Sequence, residues 1–145
     1  MKTKLFCLCL FLGSFTLSAQ EDADLAQIRT ALMQQQDDWN KGDIPAFMEA
    51  YWKSDQLQFI GASGVTKGWQ QTLDGYHRRY PNRDAMGQLT FGIVSMEKLS
   101  KKSVFLVGTW DLKRKSDAPG GYFILIWKKI QGKWVITADH TSART

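Results

Sequence analysis

Cysteine, histidine and long apolar runs are all scarce in this chain of 145 residues, and each scarcity removes a class of function. The two cysteines, Cys7 and Cys9, both lie in an eight-residue apolar run at 5–12, which they interrupt instead of following as a lipid-anchored cysteine would. The rest of the chain has no thiol, which excludes a disulfide framework and a thiolate metal site. His77 and His140 are the only histidines, too few for the three convergent ligands of a metal centre, so neither metal nor cofactor is expected. A membrane-spanning helix needs about 20 apolar residues, far more than the run at 5–12 supplies. Preceded by Lys2 and Lys4 and followed by the small, polar residues 13–19, that run reads as a secretory signal peptide cleaved after Ala19, which implies a periplasmic or secreted protein with no membrane contact after removal. Cleavage leaves one domain, 20–145, of 126 residues, enough for a real core, and lowers the net charge from +5 to +3. No dense basic stripe interleaves with aromatics, so nucleic acid is not an expected partner. Repeats, linkers and low-complexity segments are absent as well.

What is present begins with helical spacing. Leu25, Ile28, Leu32 and Trp39 form one stripe over 21–40, with Asp22 or Asp24 as its cap and Gly42 at its C-terminal end. Asp43 caps a second helix, whose aromatic face runs through Ile44, Phe47, Met48, Tyr51 and Trp52. A small hairpin over 56–67 leads to a third helix opened by Gly68, with Trp69, Leu73, Tyr76 and Tyr80 inward and Pro81 at its end. His77, Arg78 and Arg79 fall in its last turn, where they suit the helix dipole and also offer a grip for an anion. After a loop at 82–87 the period becomes two. Strands are expected over 89–99 and 103–113, then a hairpin over 120–142 turning at Gln131-Gly132. Gly92 and Gly108, inside strands otherwise built of β formers, mark a bulge or sharp bend. Helices first and antiparallel strands after give an α+β class.

The final hairpin is the centre of the plan. Both of its faces are largely apolar, which predicts a central position in a sheet covered on both sides. Uninterrupted alternation from the turn puts Trp134, Ile136, Ala138 and His140 on one face with Phe123, Leu125 and Trp127, and puts Val135, Thr137, Asp139 and Thr141 on the other.

In the order and spacing of these pieces the chain resembles the nuclear transport factor 2-like superfamily, in its SnoaL-like branch. The resemblance is carried by Trp39-Asn40-Lys41-Gly42-Asp43, by Phe47 and Tyr51-Trp52, by Phe59-Ile60-Gly61 leading into Gly68-Trp69, and by Gly132 to Ile136 followed by Asp139-His140-Thr141-Ser142. It implies a cone-shaped half-barrel, three N-terminal helices packed on a strongly curved antiparallel sheet, often dimeric through the outer face of that sheet. It implies no single function, since relatives range from steroid isomerases, polyketide cyclases and dehydratases to transport adaptors and a kinase association domain.

A curved sheet under helices encloses a hollow, and the residues able to do chemistry there are few. Asp139 and His140 are the candidate catalytic groups: a carboxylate in an apolar hollow gains basicity, and histidine titrates near neutrality. As strand neighbours they face opposite ways, and regular alternation favours His140 in the hollow and Asp139 as a structural or interface partner. Trp39, Tyr51, Trp69, Tyr76 and Trp110 are the candidate ligand-binding residues. Six tryptophans exceed what a core of this size needs, and the tyrosines carry hydroxyls able to donate to an oxyanion. Three readings follow: a pocket for a small apolar or aromatic molecule, an isomerase or dehydratase with His140 or Asp139 as base, or a homodimeric assembly module.

Overall fold

The computed structural model describes residues 22–144, so the expected signal segment lies outside the described residues. Helix α1 (Ala23–Lys41) starts where the Asp22 carboxylate accepts from the Asp24 amide at 2.9 Å and ends at Gly42, whose φ is 86°. It buries Ile28, Leu32, Gln35 and Trp39, a stripe at helical spacing. Helix α2 (Ile44–Phe47), capped by Asp43, tightens into a 3-10 turn over Met48–Ala50. It stops short of the expected Tyr51 and Trp52 because their backbone belongs to the sheet: Tyr51 bridges to Ile136, and the Trp52 amide donates to the Ile136 carbonyl at 2.9 Å.

Strands β1 (Gln58–Gly61) and β2 (Gly64–Lys67) form the small hairpin, and α3 (Trp69–Arg79) follows. The expected loop at 82–87 instead holds a one-turn helix, α4 (Arg83–Met86), because Asn82 caps it by accepting from the Ala85 amide at 2.9 Å. Among the described residues, α1 to α4 therefore precede the long strands β3 (Gln88–Ser100), β4 (Ser103–Lys113), β5 (Gly120–Ile130) and β6 (Lys133–Ala143).

The six strands make one curved, unclosed sheet in the order β2-β1-β6-β5-β4-β3, with β1 parallel to β6 and all other pairs antiparallel. The final hairpin is central, as expected, and turns through Gln131 and Gly132, both at positive φ (50° and 80°). Edge strand β3 is covered by α1: the Leu89 amide donates to Asn40 Oδ1 at 2.7 Å, and the Phe91 amide donates to Gln36 Oε1 at 2.7 Å. Bending is local. The β3–β4 register shifts between Ile93 and Ser95, beside Gly92 and Gly108. A Cβ at Gly108 would run into the Phe123 ring and come within 2.7 Å of the Gly92 carbonyl, so only glycine lets that ring lie flat on the sheet.

Two expectations about the final hairpin are corrected. Its outer face is not fully covered by the described residues, since Tyr122 and Ile124 are 49% and 38% exposed. Alternation along β6 is also not regular. Ile126 pairs with Ala138 but Trp127 pairs with Ile136, which leaves Thr137 as an extra residue, a β-bulge. Trp134 and Ile136 stay on the inner face with Trp127. Beyond the bulge the faces exchange, so Asp139 and Thr141 turn inward opposite Leu125 and Phe123, while His140 turns outward opposite Ile124.

Candidate functional site

The inner face of the sheet, α1, α2 and α3 enclose a hollow of about 110 Å³, open to solvent on one side. One water needs about 10–15 Å³ in this measure, so there is room for several. Its floor is buried and includes Phe47, Tyr51, Leu125 and Asp139; its rim is the partly exposed Tyr80, Phe91, Trp110 and Thr141, with the exposed Arg79 beside them. The walls are mostly rings packed edge to face. Trp39 meets Phe47 at 5.2 Å and Tyr80 at 4.8 Å between centroids, and Tyr76 meets Phe47 at 5.3 Å and Phe59 at 5.8 Å.

Among the described residues one carboxyl lines the hollow. Asp139, 5% exposed, accepts a hydrogen bond from the Tyr51 hydroxyl at 2.6 Å through Oδ2, while Oδ1 is buried without a partner. Burial pushes its carboxyl up to about 7, against the opposing pull of the Tyr51 hydrogen bond and the Arg79 charge. The same burial, reinforced by the Asp139 charge, raises the Tyr51 and Tyr76 hydroxyls, which interact with each other. Both phenols therefore stay protonated as donors. At neutral pH the carboxyl is poised between accepting and donating a proton.

The hollow brings together Trp39, Tyr51, Tyr76, Trp110 and Asp139 of the residues singled out from sequence. Trp39 is anchored by donating from Nε1 to the Met86 carbonyl at 3.2 Å, and Trp110 by donating to the Ser142 carbonyl at 3.0 Å. Trp69 lies elsewhere: its indole donates to the Met48 carbonyl at 2.9 Å, and Lys53 stands over its ring at 5.2 Å. His140 is exposed on the outer face and cannot reach the hollow, so the expected order of the two candidates is reversed by the bulge at Thr137. Sequence places Arg79 at a basic helix end that offers a grip for an anion, without tying it to the hollow. Its position three residues after Tyr76 puts both on one face of α3, and that spacing was the available signal. Among the described residues no cluster of three or more metal-ligating side chains occurs.

A bent sheet, a helical cover and one buried carboxyl in an aromatic hollow define a cone-shaped α+β pocket domain. Neither a protein-family model nor a curated protein sequence matches the chain. Solved structures do. An NTF-2 like protein of unknown function from Shewanella oneidensis MR-1 is 40% identical, with 82% of this chain and 98% of that chain covered at a TM-score of 0.79. A ketosteroid isomerase-like protein from Erwinia carotovora atroseptica SCRI1043 matches at 18% identity over 86% and 98% of the two chains, TM-score 0.71. A domain of unknown function with a cystatin-like fold from Nostoc punctiforme PCC 73102 matches at 16% identity over 87% and 80%, TM-score 0.73. The chain belongs to the nuclear transport factor 2-like superfamily. The two more distant likenesses extend to the fold alone.

Proposed function

We propose that this protein is a SnoaL-like pocket domain that binds a small, mostly apolar or aromatic molecule, with Asp139 as the polar anchor at the bottom of the hollow. The observation that carries the reading is the unpartnered Asp139 Oδ1, buried at an aromatic floor. A buried acceptor without a partner costs about 1–3 kcal/mol, a cost that a guest with a matching polar atom relieves. Trp39 and Trp110 line the hollow and serve as reporters. Titration with a panel of small aromatic and aliphatic metabolites is expected to shift tryptophan emission for at least one class, with the response weakened in Asp139→Asn. Unchanged emission and an unchanged melting temperature with every member would refute the reading.

A second reading, proton transfer of the isomerase or dehydratase kind, is favoured by one specific feature: a carboxyl raised to about 7 that accepts from the Tyr51 hydroxyl, with the protonated Tyr76 phenol in the same hollow as a donor to an oxyanion. The base in this reading is Asp139 and not His140. Deuterium uptake next to the carbonyl of a bound keto compound, followed by NMR, is expected in the wild type and lost in Asp139→Asn. Equal uptake in both would remove it.

A further inference from the structure

Among the described residues Arg79 is the one cation that lines the hollow, and its guanidinium lies over the rings of Phe59 and Tyr76, 5.5 and 5.3 Å from their centroids. None of the ion pairs among the described residues engages it. Its neighbour Arg78 faces a separate surface depression with Lys67 and Asp74, so the basic end of α3 divides and only Arg79 serves the hollow. The ring contacts hold the guanidinium at the rim while none of the ion pairs among the described residues gives its N–H donors a carboxylate, which leaves them available to an anion. On the floor of the same hollow, Asp139 Oδ1 is an acceptor without a donor. The rings of Phe47, Phe59 and Tyr76 line the same hollow. An apolar cavity of about 150 Å³ holds one benzene ring. The present hollow, at about 110 Å³ and open on one side, is of that order, so a multi-ring skeleton would require its walls to part.

We infer that the guest of this hollow is a single-ring aromatic acid with a hydroxyl at its far end, its carboxylate held by Arg79 at the rim and its hydroxyl donating to Asp139 Oδ1 at the floor. The inference rests on the pocket reading above and names its ligand class. Rim cation, aromatic middle and floor acceptor each match one part of such a molecule. A neutral hydrocarbon would leave both polar ends unanswered.

The test is calorimetric titration of the full chain with 4-hydroxybenzoate, 4-hydroxyphenylacetate and 3-(4-hydroxyphenyl)propanoate, each beside its primary amide and its analogue without the hydroxyl. At least one hydroxy acid is expected to bind about tenfold or more tightly than its amide and than its des-hydroxy partner, a difference of about 1.4 kcal/mol per tenfold. Arg79→Gln is expected to abolish the preference for acid over amide and to lower the melting temperature by no more than a few degrees, the loss of its two ring contacts. Asp139→Asn is expected to reduce the preference for the hydroxyl. Amides binding as tightly as acids, with Arg79→Gln indifferent to the choice, would overturn this inference and leave the pocket reading standing. Failure of every phenolic probe while other apolar molecules still shift the tryptophan emission would also overturn it alone. Failure of both sets would bring down the two together.

Discussion

Asp139 and His140 are neighbours in the chain and end in opposite media because Thr137 is one residue more than the ladder needs. That extra residue decides which of the two can act on a guest. The consequence for Asp139 is thermodynamic as well as chemical. Its carboxyl titrates near 7 in the folded chain against an ordinary value of 3.8, so between those limits the folded state holds a proton that the unfolded state has released. Its contribution to stability is therefore fully present below pH 4, declines as pH rises toward 7, and stays lost above. Asp139→Asn cannot ionise and escapes the loss. The melting temperature of the variant is expected to match the wild type near pH 4 and to exceed it at pH 8 by at least about 4 °C, since 1 kcal/mol moves a domain of this size by roughly 3–5 °C. A gap that does not change with pH would mean that the carboxyl is not buried as described.

At the scale of elements, the hollow exists because β3 and β4 bend, and the bend depends on what the glycines omit. Phe123 lies across Gly108 and meets Phe91 edge to face at 5.3 Å, which makes one wall of the hollow. Gly108→Ala is expected to cost about 1–3 kcal/mol in urea denaturation, as overpacking does, and to change ligand response because Phe123 must move. A neutral substitution would show that the ring is not held against the backbone. Much of this level was legible beforehand. The stripe of α1, the caps at Asp22 and Asp43, the two-residue turn at Gln131-Gly132 and the bend at Gly92 and Gly108 all have local causes that a sequence displays. The bulge at Thr137 does not. A threonine in a β-rich run fits regular pairing equally well, and only the packing of Trp127 and Ile136 against the helices decides that the ladder slips there. The inner face was therefore assigned correctly through Ile136 and incorrectly from Ala138 onward. The shortened second helix has a similar origin, since the competing partner of Tyr51 and Trp52 is a strand more than eighty residues away.

At the scale of the whole molecule, helices and sheet are tied together at both ends of the cone. Asp24 at the start of α1 meets Lys98 of β3 at 2.9 Å, Lys129 of β5 at 3.0 Å and the Trp134 indole of β6 at 3.0 Å, and these donors hold its carboxyl well below the usual range. Near the other end of α1, Asn40 and Arg83 bind the helix to β3 and α4. Such long-range ties are invisible in a local reading, because Asp24, Lys98 and Lys129 each look like ordinary surface charge. They keep α1 seated over the hollow. A carboxyl with a raised pKa is thus a property of the whole fold: the bulge turns it inward and the packed residues of sheet and helices bury it. The most direct measurement is a carbon-13 NMR titration of the aspartate carboxyls, with Asp139→Asn to assign the resonance. One aspartate titrating near 7, and missing from the variant, is the predicted result. A spectrum in which every aspartate titrates at about 4 or below would contradict the buried, inward-facing Asp139 on which the account depends.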